Sequence, residues 1–548
     1  MTATTPPDEV GHASLRRRRR ATLGAVAAAV VTLVAVLAAL RSPGPGLQYD
    51  GVVYLSTAQQ LVREGKLATP YAVYPFSDAL PNDSTPALTH WPPGYSLAIA
   101  SLHATGLSLL DSARAIQATS AALTVGLLVF LLADAASLAA GLLCAAALLV
   151  TPFAVEDNAQ VLSEPLFLAL VVSTAASMVA RPSRPMLYGL LAALASATRY
   201  LGLGVAASAG VWALLSGGSR TERARRAALA VAPSMLFFVG WALRARSVVT
   251  PRQESGLHTD GFGATAYRGV ATIGRWLIPE TAVASPAWAG VAFALAVAVL
   301  AAVTLPAAAR ALRPLLHGEL PATRRGRLAT ALALLTLACV ATLLASRLAA
   351  DPNVVMDARI LMPTIVLMEA ALALALWGWW RRAGRAARLF GAVAFAAWTV
   401  ASIRSSEQRL YVARRTGFAD PRWARSSTVA WVRDNGSALR IFSNVPPAVY
   451  LYAGRSSRAL PPSESAASAA AFQRTLLPDS DVIVYFYPSR DANRPEARPA
   501  LAPTLRLDTL AALSDGIVLR PSGPGRGCEG DRGAGAGAGC ALADGAAP

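Results

Sequence analysis

Residues 16–40 read RRRRRATLGAVAAAVVTLVAVLAAL. Five arginines precede an uninterrupted apolar run of 20 residues, Ala21–Leu40, which is long enough to cross a hydrocarbon core of roughly 30 Å as a helix. Basic residues beside such a helix favour the cytoplasmic side, so we expect a cytoplasmic N-terminus. A secretory signal peptide is the alternative, but its apolar part would be shorter, and the flank Leu40-Arg41-Ser42-Pro43 is a poor cleavage site.

The composition of the whole chain is also that of a membrane protein. Of its 548 residues, 54% are hydrophobic and 15% are charged, with a mean hydropathy of +0.43, whereas soluble proteins carry about 25% charged residues. A net charge of +18 can indicate nucleic-acid binding. The arginines, however, form short clusters between apolar segments, as membrane topology requires, so we exclude a nucleic-acid partner and expect membrane lipids instead.

These arginine clusters fix the direction of each predicted transmembrane helix. If all of them are cytoplasmic, the chain crosses the membrane about eleven times and its C-terminus lies outside. The clusters are Arg181–Arg184, Arg220–Arg226, Arg310–Arg327 and Arg381–Arg388. The predicted crossings are 21–40, 111–132, 135–152, 164–180, 186–200, 201–216, 227–249, 286–305, 328–348, 360–380 and 388–403.

One further apolar segment, Pro92–Leu110, is excluded from these crossings, because a span there would place every later arginine cluster outside. We predict that it lies on the outer membrane surface as a juxtamembrane helix, which the pair Pro92-Pro93 would begin. The extracytoplasmic loops are then 41–110, 153–163, 250–285 and 349–358.

The sequence after the last crossing predicts a small soluble domain. Ser426–Arg433 and Ala448–Ala453 are predicted helices, and Arg440–Ser443 and Val482–Tyr487 are predicted strands. The expected protein is an all-α polytopic protein of the cell membrane with a small extracytoplasmic α/β domain. Its predicted parts are a basic cytoplasmic N-terminus (1–20), a transmembrane domain (21–403) with the outer loop 41–110, an α/β domain (404–520), and a disordered Gly/Ala-rich tail (521–548).

Acidic residues in the predicted outer loops are candidates for catalytic or substrate-binding roles. Asp50 precedes the amphipathic segment Val52–Arg63, so its carboxylate is placed either to meet a lipid headgroup or to cap that helix. Glu156 and Asp157 lie in the loop 153–163, on the same side of the membrane. Glu164 opens the next predicted helix, where the helix dipole alone would favour an acid.

Two arginines at outer helix ends are the basic candidates. Arg199, with Tyr200, interrupts the apolar run 186–216, which is too long for one ordinary transmembrane helix, so we predict two short helices that meet at Arg199. An arginine at this depth needs a partner, and a phosphate suits a guanidinium. The alternative is an arginine that snorkels to the interface. Arg359 lies similarly at the outer start of a helix.

Five motifs in this order resemble a known class of enzymes. They are Tyr49-Asp50-Gly51, His90-Trp-Pro-Pro-Gly-Tyr95, Ser163-Glu-Pro-Leu-Phe167, Thr198-Arg-Tyr-Leu-Gly202 and Asp357-Ala-Arg-Ile-Leu-Met-Pro363. The chain resembles the GT-C class of polyprenyl-phosphate-sugar-dependent membrane glycosyltransferases. The most similar groups are the protein O-mannosyltransferases, the aminoarabinose transferase of lipid A and related bacterial family 39 proteins. The resemblance covers residues 45–400, approximately, and a weaker similarity extends over Ile441–Tyr450.

The resemblance implies an inverting sugar transfer on the extracytoplasmic face. Asp50 would be the general base on an acceptor hydroxyl, and Asp157 would match the second acidic position of the class. The donor would be a sugar on a polyprenyl phosphate, with Arg199 and Arg359 at its phosphate; the acceptor would be a glycan, a lipid or a protein. The predicted substrate-binding residues are His90, Tyr95, Glu156, Glu164 and Tyr200. Two positions depart from the class: His90-Trp91 replaces a Lys that often precedes the prolines, and Gly51 replaces an acid.

Two other functions stay open from the sequence: a flippase or transporter of lipid-linked sugars, and a non-catalytic scaffold for envelope assembly. Transporters usually contain paired repeats, and we find no repeat. No zinc, haem or nucleotide motif is present, so a divalent cation is the only cofactor that we leave open. Cys144 and Cys339 lie in apolar segments, whereas Cys528 and Cys540 lie in the tail and would pair only in an oxidising compartment.

Overall fold

The computed structural model describes residues 7–41, 44–71, 87–246, 259–279, 318–349, 354–460, 472–487 and 507–522, with residue 505 and scattered positions between 290 and 313. The chain divides into two compact units. The first comprises Met1–Pro70 and Ala79–Trp423, and the second Tyr71–Asp78 and Ala424–Pro548. The predicted crossing 286–305 lies mostly outside the described residues, and so do Cys528 and Cys540 with the rest of the tail from 523.

The first unit is built from helices. In chain order they are α1 (Pro7–Arg41), α2 (Tyr49–Glu64), α3 (Gly94–His103), α4 (Leu109–Ala135), α5 (Leu138–Val150), α6 (Pro152–Asn158), α7 (Glu164–Ala180), α8 (Pro185–Thr198), α9 (Gly202–Leu214), α10 (Arg220–Arg246), α11 (Phe262–Leu277), α12 (Arg324–Ala349), α13 (Ala358–Trp380) and α14 (Arg385–Ala413).

Six helices among the described residues are long and apolar enough to cross a membrane, within α1, α4, α10, α12, α13 and α14. The pair α5 and α6, bent by 66° between them, could form a seventh span. Helices α7, α8 and α9 are apolar but shorter. The chain is thus a multi-pass membrane protein, while the number eleven and the orientation stay predictions.

The apolar run around Arg199 does form two short helices, as predicted. Helix α8 ends at Thr198, Arg199 has extended backbone angles, and α9 begins at Gly202. A Cβ on Gly202 would lie 2.2 Å from the backbone nitrogen of Ser196, so only glycine allows the chain to fold back this closely.

Arginines of the N-terminal run and of the cluster 310–327 contact the C-terminal parts of other helices. Arg17 at the start of the apolar part of α1 donates to the carbonyl of Ala136 at the end of α4, and Arg324 at the start of α12 pairs with Asp134. Arg325 donates to the carbonyl of Leu374 near the end of α13. These contacts place guanidinium groups against helix C-termini, which is electrostatically favourable, and they define a basic end of the first unit.

The segment predicted to be the first outer loop contains the helices α2 and α3. Helix α3 has ten residues and begins directly after Pro92-Pro93, so it is too short to span a bilayer. Tyr54 of α2 packs edge-to-face on Tyr95 of α3, with ring centroids 5.0 Å apart. Gly51 packs against the carbonyl oxygen of Val161, which would lie 2.7 Å from an added Cβ; this contact explains why a larger acidic residue is absent at position 51.

The second unit contains a five-stranded sheet of order β2-β1-β3-β5-β4. Strands β1 (Arg440–Ser443), β2 (Arg458–Ala459) and β3 (Asp481–Phe486) are parallel, and β4 (Leu507–Leu513) and β5 (Gly516–Pro521) add antiparallel pairs. Helix α15 (Ser427–Asn435) and the short helix α16 (Pro446–Ala448) accompany the sheet. The elements predicted around 426–433, 440–443 and 482–487 are present; the β4–β5 hairpin was not predicted, although its Asp515-Gly516 pair is a hairpin signal.

Candidate active site

Four charged side chains meet at one end of the first unit. Asp50 lies in the first turn of α2, Glu164 begins α7, Arg199 follows the last residue of α8, and Arg359 lies in the first turn of α13. The basic end described above includes the C-terminal part of α13. A helix of 23 residues is about 34 Å long, so these four side chains lie at the opposite end of the helix bundle.

Three ion pairs join the four side chains, and we call them the charge cluster. Oε1 of Glu164 lies 2.6 Å from Nη1 of Arg199 and 2.9 Å from Nε of Arg359. Nη2 of Arg359 lies 2.7 Å from Oδ2 of Asp50. The Glu164 side chain is only 2% exposed, whereas Asp50 is 18% exposed. Glu164 is therefore the buried centre of the cluster, and Asp50 is its accessible edge.

The local structure explains how these side chains are held. Asp50 is not the cap of its helix, because Gln48 is the N-cap residue of α2 and makes no capping hydrogen bond through its side chain. At α13 the cap is Asp357, which accepts a hydrogen bond from the backbone nitrogen of Ile360 at 2.9 Å. Arg359 thus sits at the positive end of a helix dipole, where a cation is unfavourable. Glu164 and Asp50 compensate for that position.

Two uncharged residues complete the network, and the sequence analysis did not select either. The hydroxyl of Tyr54 lies 3.2 Å from Oγ of Ser163, which also accepts a hydrogen bond from Arg199 at 3.2 Å. Burial raises the pKa of the Tyr54 phenol above its usual range, so the group stays neutral. Tyr54 lies four residues after Asp50 and hence on the same face of α2; this spacing was the available signal.

The second acidic pair lies on α6 and its two members differ. Glu156 pairs with Arg409 of α14 at 2.5 Å, so it is a partner within the helix bundle rather than a member of the charge cluster. Asp157 is 5% exposed, and its Oδ2 has no hydrogen-bond partner among the described residues. Burial raises the pKa of the Asp157 carboxyl well above its usual range, and the charges of Glu164 and Glu156 raise it further. Its environment favours a protonated acid over a base.

The remaining predicted residues line or support the same end. The hydroxyl of Tyr200 donates to the carbonyl of Thr89 at 3.2 Å and accepts from the indole of Trp241 at 2.9 Å. It therefore ties the junction of α8 and α9 to the loop before α3. His90 contacts the ring of Trp91, with centroids 4.5 Å apart. Tyr95 is fully buried beneath α2, which makes it a packing residue.

An apolar cavity of about 160 Å³ opens beside the charge cluster. Side chains of α1, α4, α5, α7, α13 and α14 form most of its wall, among them Val36, Val125, Leu148, Leu168, Met362 and Leu410. The polar residues of the lining are Asp157, Asn158 and Glu164, with Thr32 and Thr124. The site thus combines an apolar cavity with fixed charges, as a lipid with a polar headgroup requires.

The described residues do not fit a metal ion. They contain no group of three or more His, Cys, Asp or Glu side chains that could bind one. Within the charge cluster, the carboxylates of Asp50 and Glu164 are already paired with guanidinium groups, which would repel a cation. We assign no step to a metal.

Comparisons with known proteins identify the class to which this fold belongs. No family model matches the sequence, and no curated protein matches it significantly. Among solved structures, the chain is similar to ArnT from Cupriavidus metallidurans bound to undecaprenyl phosphate, with a TM-score of 0.52 and 14% identity over 90% of this chain and 97% of that one. It is also similar to the oligosaccharyltransferase of Archaeoglobus fulgidus, with a TM-score of 0.50 and 12% identity over 84% of this chain and 69% of that one.

The structural similarity confirms the resemblance drawn from the five motifs at the level of the fold. This chain has the fold of the GT-C glycosyltransferases, a class of polytopic membrane proteins. At sequence identities of 14% and 12%, the similarity shows a shared fold and does not show a shared substrate.

Proposed function

We propose that this protein is an inverting membrane glycosyltransferase that moves a sugar from a polyprenyl phosphate to a hydroxyl acceptor. One observation carries the proposal: within a GT-C fold, the accessible carboxylate of Asp50 lies 2.7 Å from a guanidinium that belongs to a buried ion-pair cluster. A base and a phosphate-binding cation are the two groups that such a transfer needs.

Each group of the cluster has a role in the proposed reaction. Asp50 takes the proton of the acceptor hydroxyl, whose oxygen attacks the anomeric carbon from the face opposite the phosphate. The bond between that carbon and the phosphate oxygen breaks, and its electron pair stays on the departing polyprenyl phosphate. Arg359 and Arg199 stabilise this growing negative charge through charge-assisted hydrogen bonds. Glu164 positions both guanidinium groups.

The donor class is supported by two features. ArnT, whose fold this chain shares, was solved with undecaprenyl phosphate. The apolar cavity beside Glu164 suits the part of the isoprenoid chain nearest the phosphate, because burying apolar surface is favourable at about 25 cal/mol per Å². We propose that the acceptor is a glycan, a lipid or a protein and that the site faces the extracytoplasmic side of the cell membrane.

The orientation follows from charge. The basic end of the helix bundle, with Arg17 and Arg324, would lie in the cytoplasm by the positive-inside rule. The charge cluster at the other end would then lie outside, where lipid-linked sugars of the outer leaflet are accessible. The α/β domain would lie on the same outer side, since α14 would be the last crossing.

The test measures the release of polyprenyl phosphate by purified protein in detergent, from a panel of polyprenyl-phosphate hexoses and pentoses with short alcohols as acceptors. We expect at least one donor to be turned over, and Asp50→Asn to reduce the rate by about 10²–10⁴ because base catalysis is lost. The matched control is Asp111→Asn, since Asp111 forms an exposed ion pair with Arg114 at the start of α4.

Full activity in Asp50→Asn would refute the role of Asp50. If wild type released no polyprenyl phosphate from any donor, the transferase proposal would fall and a transporter or a scaffold would replace it. Movement of a lipid-linked sugar across proteoliposomes would then separate those two.

A further inference from the structure

The charge cluster is electrically balanced, which has a consequence for donor binding. Two arginines face two carboxylates, and each arginine already has at least one carboxylate within 2.9 Å. A donor phosphate would add a negative charge to a neutral site. Each guanidinium has five N–H donors, so a phosphate could also bind beside the carboxylates. It gains a guanidinium whose charge is not already neutralised only if one of the existing ion pairs opens.

The geometry indicates which pair opens. Glu164 is 2% exposed and is held by two arginines, whereas Asp50 is 18% exposed and, among the residues that the structure describes, forms an ion pair with Arg359. Removing a buried carboxylate such as Glu164 from its partners would leave an uncompensated charge in an apolar surrounding. Asp50 can turn towards solvent or substrate at lower cost, because its side chain keeps partial contact with solvent.

We propose that the donor phosphate displaces Asp50 from Arg359, so that the donor itself releases the base. This inference rests on the proposed function. Arg359 stays anchored to Glu164 through Nε while its Nη2 exchanges the Asp50 carboxylate for a phosphate oxygen. The exchange frees Oδ2 of Asp50 to accept the hydrogen bond of an acceptor hydroxyl, so the base becomes competent only when the donor is present. The acceptor is thereby activated after donor binding and not before.

The same exchange balances charge along the reaction. As the acceptor oxygen bonds to the anomeric carbon, its proton moves to Asp50, which becomes neutral. The electron pair of the broken bond between carbon and oxygen adds negative charge to the phosphate, which Arg359 holds at that moment. Return of Asp50 to Arg359, after it has lost its proton to solvent, would help to expel the polyprenyl phosphate.

The experiment is a double-mutant cycle on the binding of undecaprenyl phosphate to purified protein in detergent. Affinities are measured for wild type, Asp50→Asn, Arg359→Gln and the double variant, with undecaprenol as the ligand that lacks a phosphate. Asp50→Asn should tighten binding of the phosphate by about tenfold, equivalent to about 1.4 kcal/mol, although it slows transfer. In the Arg359→Gln background the same substitution should leave the affinity unchanged, since no arginine is released there.

Asp50→Ala is a second route to the same prediction, because it also removes the carboxylate. Asp111→Asn removes a carboxylate from the exposed pair with Arg114 and should leave the affinity as in wild type. Unchanged or weaker binding in Asp50→Asn, while wild type binds, would overturn the exchange and leave the proposed function standing. Equal tightening in both backgrounds would show a general charge effect and also overturn it. Wild type binding the phosphate no better than undecaprenol would refute both proposals.

Discussion

Glu164→Gln should destabilise the first unit more than the loss of any exposed carboxylate. Glu164 is 2% exposed, and its Oε1 lies 2.6 Å and 2.9 Å from two guanidinium nitrogens. At an effective dielectric constant of about 20, each attraction amounts to about 6 kcal/mol before the cost of desolvation is subtracted. Removing one partner of a buried pair costs about 3–5 kcal/mol in measured cases. Because glutamine removes the charge but keeps the size of the side chain, we expect a loss at the lower end of this range, about 3 kcal/mol.

The assay is the free energy of unfolding in mixed micelles titrated with a denaturing detergent. The matched control is Glu222→Gln at the basic end, since Glu222 is 48% exposed and pairs with Arg226 one turn later. An exposed helical pair of this kind contributes about 0.3–0.5 kcal/mol. Equal losses in the two variants would show that Glu164 is not the buried centre of the cluster and would refute the reasoning.

Three further predictions follow from other parts of the chain. Asp157→Asn should gain stability relative to wild type as the pH rises above about 4, measured by thermal unfolding, because burial raises the pKa of the Asp157 carboxyl in the folded state and wild type loses stability between the unfolded and the folded pKa. Asp515→Asn should destabilise α15 by about 1–3 kcal/mol, seen as faster amide exchange, because Asp515 accepts hydrogen bonds from Ser427 and Thr428. Burial alone would raise the pKa of the Asp515 carboxyl, but these hydrogen bonds lower it. The stabilisation that Asp515 contributes should therefore be lost as the pH falls below about 4. In a cysteine-free background, Ser437→Cys should react with an impermeant maleimide in intact cells and Ser219→Cys should not; the reverse pattern would invert the predicted topology.

Much of the fold could be predicted because it depends on local patterns. The apolar run 186–216 is too long for one transmembrane helix, and Arg199 within it indicated the position of the break. In the structure, α8 and α9 meet at Arg199. The pair Pro92-Pro93 marked the start of α3. Both features depend on residues that are adjacent in sequence, where helix length and proline geometry decide the outcome.

The partners inside the site could not be predicted in this way. The sequence predicted a phosphate or the membrane interface as the partner of Arg199, but in the structure its partner is Glu164, 35 residues earlier in the chain. Glu156 was a substrate-binding candidate, yet its partner is Arg409 on the last helix of the first unit. Ion pairs between distant residues depend on how helices pack, and no sequence spacing records that packing.

The position of the charge cluster, more than its strength, argues for a function. A buried ion-pair network is weak evidence of stabilisation, since well-packed apolar residues often serve as well or better. Arg359 also stands at the positive end of α13, where the helix dipole disfavours it, and it requires both Asp50 and Glu164 as compensation. A site arranged only for stability would have placed an acid or a neutral residue there. A guanidinium kept at an unfavourable position, with one partner buried and the other accessible, is suited to exchange the accessible partner for an incoming anion.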